Sequence, residues 1–547
     1  MGLQSHVIMW STGVSKEAAK QAAFRGKKKL PEALQIGAVE RESGLGMWKK
    51  EERYQCMRND LHELCKQPRK KTALAIKAFI QKYPKLALAR DESSAGRGMT
   101  AMHILCSMSS LNQSKEGSKE RQTYLKCHVD SLKAYLSTIP SLGREAMQIH
   151  NHDGRTPLFV LFQSPGLTLA HISICRRYCP AAFLCRCTFF QCPIFALVRS
   201  KRLTVEVLKE YILAVNSNAS YTREGNPFLL PNRTNRRRTP LHEFALCKHA
   251  SPKVLLHFLH NVPGTPWKTF FECKDAHGLT AFDLVCQNER LITSEVLSQC
   301  LGNGELSRMG LNHLCQNKAL TPSLLEVVLE PSKHNSNRTR QLKTLCNGRD
   351  ELLDTVLHIL AGLPCVTKLH FRVFFKFAGS ESLVKLDSHG DSPMHIYCGN
   401  EESIDADTLK ELLDHVGTPT FLQTDKYQEN IVHILMRNKL INKKLVDTIT
   451  HHKKAKALLT KTNKFHYTGL HLLCCNLNVS ASAISAYIKA SPAATVVRDD
   501  ADGASPLSLL CRNAQVSERM VTVFLKCSQC VEDEKHRKDK EGLSLLE

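Results

Sequence analysis

Seven histidines with similar neighbours are the first residues of this sequence that suggest chemistry, because histidine is the usual general base of enzymes. They are His62, His103, His242, His358, His395, His433 and His471. One active site would not need such a residue in segment after segment along the chain. At His62-Glu63 and His242-Glu243 a glutamate follows, but both lack the second histidine of the H-E-x-x-H zinc motif. We therefore interpret the recurring histidines as structural.

Metal binding by cysteine is the second chemistry to weigh, and it concerns two places. Four thiolates can bind zinc tetrahedrally. Within the 18 residues from 175 to 192 lie Cys175, Cys179, Cys185, Cys187 and Cys192. Their spacings include no C-x-x-C pair, so we favour packing or loop thiols there. The segment Cys527-Ser528-Gln529-Cys530, with His536, has such a pair but lacks a second one. We predict a metal at neither place.

Motifs that would mark a cofactor or a nucleophile are missing from the sequence. It has no G-x-x-x-x-G-K-[ST], no G-x-G-x-x-G after a strand and no G-x-S-x-G. We predict no catalytic residue and no cofactor, and we interpret the chain as a protein without enzymatic activity. The open alternative is an enzyme whose site is assembled from loops, which would need a deep pocket with perturbed acids or bases.

One stretch, residues 236–263, shows the element that positions these residues. Thr239 is a helix N-cap type and Pro240 follows at the first helical position, so a helix is predicted to begin there. Ser251-Pro252 repeats these signals, and the second helix would stop before Pro263. The stretch therefore predicts a helix hairpin, which must bury its apolar stripes against neighbours.

Similar segments recur along the chain. With His242 as the reference position of Thr-Pro-Leu-His, the others have their reference at His62, His103, Phe159, Phe195, Asp283, Asn312, His358, His395, His433, His471 and Ser508. A second helix needs an N-cap residue nine or ten positions further on. Residues of that type are present there: Thr72, Thr168, Thr204, Ser251, Thr293, Thr321, Asp405, Asn442, Ser480 and Ser517. The sequence therefore predicts an array of two-helix repeats.

The repeat unit resembles the ankyrin repeat, which has a turn, two antiparallel helices and a Thr-Pro-Leu-His signature at a period of about 33 residues. The signature is literal at Thr239–His242, and Asp-x-x-Gly turns typical of the family occur at 275–278, 387–390 and 500–503. The resemblance implies an all-α fold, an α-solenoid of stacked helix-turn-helix repeats with short hairpin loops. It also implies that the recurring histidine ties one hairpin loop to the next. HEAT-type architecture is the rival fold, and both signals count against it.

The sequence departs from the family in its period, which is 37 to 39 residues near the C-terminus. The extra residues at Cys179–Ala182 and Ser491–Ala494 predict one more turn after the second helix. The 56 residues between His103 and Phe159 predict loops or a degenerate repeat, and 331–340 is interpreted as a polar insertion. Seven cysteines stand three places after a reference position, where packing is expected. They are Cys65, Cys106, Cys286, Cys315, Cys398, Cys474 and Cys511.

Two regions are predicted in the chain. Residues 1–50 form a basic leader, solvated or a targeting segment, and residues 51–547 form one solenoid of about 12 repeats. The last repeat, which begins near Asp539, is expected to be incomplete or to act as a cap. The 22 cysteines and the lack of a secretory leader indicate an intracellular, reducing compartment. The cytoplasm is favoured, with the nucleus or an organelle as alternatives.

The charge of the chain favours acidic partners, because its formal net charge is +23 and its pI is near 9.2. Three basic runs precede the first helix of a repeat, where ankyrin-like stacks have a projecting loop. Their candidate partner-binding residues are Arg236, Arg237, Arg238, Lys453, Lys454, Lys456, Lys535, Arg537 and Lys538. A merely solvated basic surface is the alternative interpretation.

The sequence thus predicts a protein-interaction scaffold that binds an unidentified, acidic protein partner. A nucleic-acid-binding solenoid is the second hypothesis, and it would show steep salt dependence. Aromatic residues are not interleaved with the basic runs as base stacking would require, so a protein partner is favoured. No stretch is long and apolar enough to be predicted as a membrane span. The identity of the partner and the oligomeric state are not predicted.

Overall fold

A computed structural model describes residues 47–91, 97–108, 111, 116–187, 191–217, 226–231, 236–262, 267–303, 306–330, 336–417, 421–500, 503–527 and 530. The chain divides into two units, Met1–Asp60 and Leu61–Glu547. Of the first unit the structure describes residues 47–60, which are the start of a helix. Among the described residues no helix combines the length and the apolar character needed to cross a membrane.

Helices make up most of the described secondary structure. The first helices are α1 Met47–Lys66, α2 Thr72–Lys82, α3 Ala101–Ser107, α4 Lys119–Thr138, α5 Pro140–Ala146, α6 Pro157–Gln163, α7 Leu169–Tyr178, α8 Ile194–Val198, α9 Val205–Asn216, α10 Pro240–Ala245, α11 Pro252–Asn261, α12 Trp267–Glu272 and α13 Ala281–Gln287. The others are α14 Ser294–Asn303, α15 Arg308–Gln316, α16 Pro322–Leu329, α17 Ser336–Asn347, α18 Val356–Ala361, α19 Lys368–Ala378, α20 Pro393–Gly399, α21 Ala406–His415, α22 Ile431–Arg437, α23 Lys443–His451, α24 Gly469–Cys475, α25 Ala481–Ala490, α26 Pro506–Cys511 and α27 Glu518–Leu525.

Short elements complete the described structure. Five 3-10 helices are present: Pro84–Leu88, Pro180–Phe183, Glu381–Val384, Lys456–Leu458 and Pro492–Val496. Two of them confirm the extra turn that was predicted around 180 and 492. Two strands, β1 Arg90–Asp91 and β2 Met99–Thr100, form an antiparallel pair in which Arg90 lies opposite Thr100.

Within the second unit the helices contact one another in two rows. One row consists of the short helices at the reference positions, in the order α3, α6, α8, α10, α13, α15, α18, α20, α22, α24 and α26. The other consists of the second helices, in the order α2, α4, α7, α9, α11, α14, α16, α19, α21, α23, α25 and α27. Each helix contacts the next one in its row, so every hairpin packs against the hairpins before and after it.

Local capping explains where the helices begin. Nine of the ten predicted second-helix caps directly precede a helix, and most of them accept a hydrogen bond from a backbone N–H of the first turn. The tenth prediction is wrong by one residue, because Thr72 is the first helical residue and Lys71 is the N-cap. The Thr72 hydroxyl instead accepts the N–H of Arg69 at 2.7 Å.

The apolar stripes of the hairpins meet in one continuous core. Leu241, Phe244 and Ala245 of α10 are buried. In α11 the buried apolar residues are Val254, Leu255, Phe258 and Leu259. The core cluster extends from Leu61 to Cys530. Since a two-helix hairpin cannot bury both of its stripes alone, contact with neighbouring hairpins supplies the missing surface.

Two irregular segments differ from the sequence interpretation. The described part of the segment between His103 and Phe159 holds no further hairpin. Helix α3 contacts α6 directly, and the described residues between them include the 20-residue helix α4 and the short α5. The polar insertion at 331–340 is in part helical, since α17 begins at Ser336. Additional helix after the second helix, rather than loop alone, therefore accounts for the unequal repeat lengths.

Candidate functional site

The recurring histidines form a capping device at the start of the first helices. In six repeats the histidine stands at the third helical position, and its Nδ1 accepts the backbone N–H of the N-cap residue at 3.0 to 3.2 Å. Because Nδ1 accepts, the ring proton is on Nε2. In four of these repeats Nε2 donates to a carbonyl in the next hairpin turn, at 2.9 to 3.2 Å. The acceptors are Arg155, Leu279, Asp391 and Tyr467.

Burial keeps these histidines neutral. It lowers the pKa of His103, His395, His433 and His471 to about 4, from an ordinary value of 6.5. Both ring nitrogens of His103 and His433 are engaged in the hydrogen bonds just described. The geometry therefore assigns them to structural links between successive hairpins.

A second buried histidine chain was not predicted from the sequence. His171 caps α7 in the same way, and its Nε2 lies 2.9 Å from Nδ1 of His128 in α4. The Nε2 of His128 donates in turn to the carbonyl of Leu105. Burial lowers the pKa of His128 to about 4 and that of His171 well below its usual range. These hydrogen bonds connect α7, α4 and α3. No local sequence pattern indicates a contact between residues 43 positions apart.

Six asparagines form a ladder that the sequence reasoning missed. They stand five places after the reference position: Asn288, Asn317, Asn400, Asn438, Asn476 and Asn513. The side-chain amide of each donates to one or two carbonyls at the end of the first helix of the preceding repeat, at 2.7 to 3.1 Å. We call this set the asparagine ladder. Its signal was the recurrence of asparagine at one repeat position.

The hairpin turns share a polar acceptor and a left-handed residue. Asp275, Asp387 and Asp425 each accept two backbone N–H groups of their own turn. The left-handed position is a glycine at 278 and 390, but it is Arg237, Leu353, Gln428 and His466 elsewhere. Such a conformation costs a residue with a side chain roughly 1 to 2 kcal/mol. Those four turns therefore present a side chain where glycine would be less strained.

The predicted turn at Asp500–Gly503 needs a correction. Asp499, the residue before the predicted start, accepts the N–H of Ala504 at 3.2 Å. The Asp500 carboxylate lies 3.0 Å from Nε2 of His466 in the preceding turn. This turn is one residue longer than the others, which the Asp-x-x-Gly pattern could not reveal.

An open groove of about 600 Å³ lies beside three successive turns in the C-terminal part of the second unit. Helices α20 and α22 contribute Ile396, Gly399 and Ile434 to it, and the turns contribute Asp391 and Asp425. The remaining lining residues are His389, His395, Lys426, Tyr427, Glu429, Arg437 and Phe465. We call this space the turn groove. Apolar surface and carboxylates therefore stand side by side within it.

The charges of the turn groove differ in how they are compensated. Glu429 is buried, and its carboxylate lies 3.0 Å from Arg437 and accepts the side-chain amide of Asn463 at 3.2 Å. Asp391 lies in a less favourable place, because burial and the carboxylates of Asp387 and Asp425 raise its pKa. The carboxylates of the groove are thus not equally satisfied.

The candidate basic residues occupy different environments. Arg236 and Arg237 are exposed in the turn before α10, whereas Nε of Arg238 lies 3.4 Å from the buried carboxylate of Asp275. Lys453, Lys454 and Lys456 are exposed but follow α23 and precede the hairpin turn. In that turn the basic residue is Lys464, whose Nζ lies 4.1 Å from the ring centre of Tyr427. Lys535, Arg537 and Lys538 lie outside the described residues.

Most of the cysteines that share the packing position are buried, as predicted, but Cys511 is exposed. In the cluster from Cys175 to Cys192, four residues are buried and Cys185 is partly exposed. Burial raises the pKa of Cys179 to about 12. Among the described residues no group of three or more His, Cys, Asp or Glu side chains is arranged to hold a metal ion. His536 is outside the described residues.

Comparison with known proteins places few constraints on this chain. No family model matches the sequence. No curated protein matches it either. A similar solved structure is that of a predatory endopeptidase from Bdellovibrio bacteriovorus in complex with an immunity protein. The match has 17% identity and a TM-score of 0.29, and it covers 40% of this chain and 96% of that one. A likeness of this degree carries no argument about function.

Proposed function

We propose that the second unit is an α-solenoid of ankyrin-like repeats that serves as a non-catalytic protein-interaction scaffold. Two rows of helices in sequence order support the solenoid arrangement, since each hairpin contacts the hairpins before and after it. The histidine caps support the ankyrin-like assignment, because they link successive turns as that resemblance implies. A reducing intracellular compartment fits the 22 cysteines of the sequence.

The observation that carries the proposed interaction is apolar surface at the turns. Tyr427 and Phe465 lie in successive hairpin turns and are 42% and 51% exposed. Leu352 lies two turns before Tyr427 and is 62% exposed. Large apolar side chains grouped at an exposed surface are typical of sites that bind another protein. Ile359, Ile396 and Leu472 of the adjacent first helices are only partly buried and extend that surface.

Strain at the same turns supports the proposal. Leu353, Gln428 and His466 adopt the left-handed conformation that glycine would adopt without strain. Residues held in costly conformations are often found where a side chain is needed for function. We infer that the turns before α18, α22 and α24 carry side chains for contact with a partner.

Site-specific photo-cross-linking in cells tests this proposal. A photoreactive phenylalanine analogue at Phe465 should yield cross-links to a protein, identified by mass spectrometry. The matched control is the analogue at Leu477, which is 61% exposed but lies in the loop between α24 and α25. Cross-links at 477 equal to those at 465, or none at 465, would contradict the proposed surface. Cross-links to RNA or DNA alone would instead favour the nucleic-acid hypothesis.

The basic turn at Arg236 and Arg237 remains a prediction about the same partner. If these exposed arginines attract an acidic protein, reversing both charges to glutamate should slow association, and added salt should slow the native pair as well. The rate would be measured with the cross-linked partner by surface plasmon resonance. An unchanged association rate would indicate that these charges belong to a solvated surface and do not contact the partner.

A further inference from the structure

We propose that the turn groove binds a lysine or arginine side chain of a protein partner, presented by an extended segment with an apolar residue beside the cation. This inference rests on the proposed interaction function and adds the chemistry of the bound segment. It concerns repeats other than the one that carries Arg236 and Arg237.

Two carboxylates make the groove suited to a cation. Asp391 and Asp425 both line it, and within the described ranges neither forms an ion pair with a lysine or arginine. Oδ1 of Asp425 accepts the N–H groups of Tyr427 and Glu429 at 2.8 Å each, while its second oxygen is not needed by the turn. A bound cation would relieve the repulsion between the two carboxylates, which otherwise costs stability.

Among the described residues, the nearby lysines and arginines of the protein form no ion pair with Asp391 or Asp425. Arg437 is paired with Glu429. Nζ of Lys464 lies over the rings of Tyr427 and Phe465, at 4.1 and 4.9 Å from their centres. Nζ of Lys426 lies 5.1 Å from the ring centre of Tyr427 and 3.5 Å from Nδ1 of His389, and its charge offsets only part of the rise in the pKa of Asp391. Lys426 and Lys464 thus lie against the rings of Tyr427 and Phe465. The carboxylate side of the groove is left for a cation from outside.

The apolar side of the groove selects a side chain rather than a free ion. Ile396 and Ile434 provide an aliphatic surface, and Gly399 leaves space because a β-carbon there would meet only Cγ2 of Ile434, at 3.4 Å. Lysine and arginine lay their methylene stems on such a surface while the charged head reaches a polar group. A planar guanidinium can also engage two carboxylate oxygens at once. The neighbouring residue of the segment would cover the exposed ring of Phe465.

Selection of random dodecapeptides displayed on phage against the full chain tests the inference. We expect enriched peptides to share a lysine or arginine next to an apolar residue. Affinities of the synthesised peptides, measured by fluorescence anisotropy, should fall at least tenfold for the double variant Asp391→Asn/Asp425→Asn, since a charged hydrogen bond is lost. Asparagine is tolerated in this turn, because Asn463 makes the same two backbone contacts in the next repeat.

A thermodynamic cycle separates charge pairing from general damage. Replacing the peptide arginine by citrulline should weaken binding to the native chain but have little further effect on the double variant. The matched control is Glu401→Gln, because Glu401 is an exposed acid paired with Lys439 and does not line the groove. It should change affinity less than twofold. The melting temperatures of all variants would be compared to verify folding.

Three outcomes would overturn the inference. One is additive effects of citrulline and the double variant. Another is enrichment of acidic peptides whose binding depends on Arg236 and Arg237, which would leave the interaction function standing. The third is failure to enrich any peptide. The cross-linking experiment at Phe465 decides separately whether the surface binds a protein at all, so the two failures remain distinguishable.

Discussion

Two regions of the second unit hold neighbouring repeats together by different means. Between residues 157 and 272 the centre of the core is a series of aromatic rings, each 5.3 to 6.1 Å from the next. We call it the aromatic column: Phe162, Phe183, Tyr211, Phe228, Phe258 and Phe270. Between residues 350 and 513 histidine caps and the asparagine ladder make successive hydrogen bonds from repeat to repeat, as His242 also does at the end of the aromatic region.

The two regions also differ in how equal their repeats are. From His358 to Ser508 the reference positions are 37, 38, 38 and 37 residues apart, whereas from His103 to His242 the intervals are 56, 36 and 47. Hydrogen bonds are directional, so a side chain must meet its carbonyl in the same register in every repeat. Apolar burial has no such direction and tolerates helices of different length. The directional links nevertheless tolerate inserted helix, because His103 makes the same bond to Arg155 across the 56-residue interval.

Lowering the pH should produce the largest difference in stability between the two regions. The pKa of His395, His433 and His471 is about 4 in the folded chain, against 6.5 ordinarily. The fold therefore favours their neutral form, and each contributes about 3 kcal/mol that is fully present above pH 6.5 and lost as the pH falls towards 4. Asp354 opposes this in part, because its pKa is raised to about 6. We expect α20–α25 to open at higher pH than α8 and α9.

Pulsed deuterium labelling at one fixed pH, after incubation between pH 7 and 4, would measure this difference. Helices α8 and α9 contain no histidine and serve as the internal reference, although His171 of α7 and His242 of α10 beside them also have lowered pKa values. Loss of protection in α9 and α22 at the same pH would contradict the assigned role of the histidine caps.

Removal of one ring should break the aromatic column locally. Phe258 is buried between Phe228 and Phe270, so Phe258→Ala should lower the free energy of unfolding of the surrounding repeats by about 3 to 5 kcal/mol. Native-state hydrogen exchange of α9 and α11 would show it. The control is Phe465→Ala, at an exposed ring, with an expected effect within about 0.5 kcal/mol. Similar effects of both variants would mean that the column does not hold these repeats together.

Removal of one amide of the asparagine ladder should lower the free energy of unfolding by a smaller amount. The amide of Asn438 donates to the carbonyls of Cys398 and Asn400 at 2.9 and 3.0 Å. In Asn438→Ala these buried acceptors lose their donor, at a cost of about 1 to 3 kcal/mol. Hydrogen exchange of α20 and α22 would report it, with exposed Asn478→Ala as the control. An unchanged exchange rate in α20 would show that water replaces the amide and that the ladder adds little stability.

Local chemistry made much of this fold predictable. Nine second-helix caps lie where the residue types placed them, and Thr239-Pro240 starts α10, because a hydroxyl meets an N–H only two or three residues away. The same short range makes His242 a cap partner of Thr239. The candidate site was harder to predict from the sequence. The turn groove is built from residues 389 to 465, and its compensated and uncompensated carboxylates look alike in sequence.

The sequence by itself determined the helix starts, the buried stripes and the all-α class, since these depend on residue type and on spacing within one hairpin. Tertiary structure decided which polar atoms meet. The His128–His171 contact, the amides of the asparagine ladder and the pairing of Glu429 with Arg437 and Asn463 all depend on how hairpins stack. The physical reason is that such contacts join residues that only burial brings together, and burial is set by the packing of whole helices.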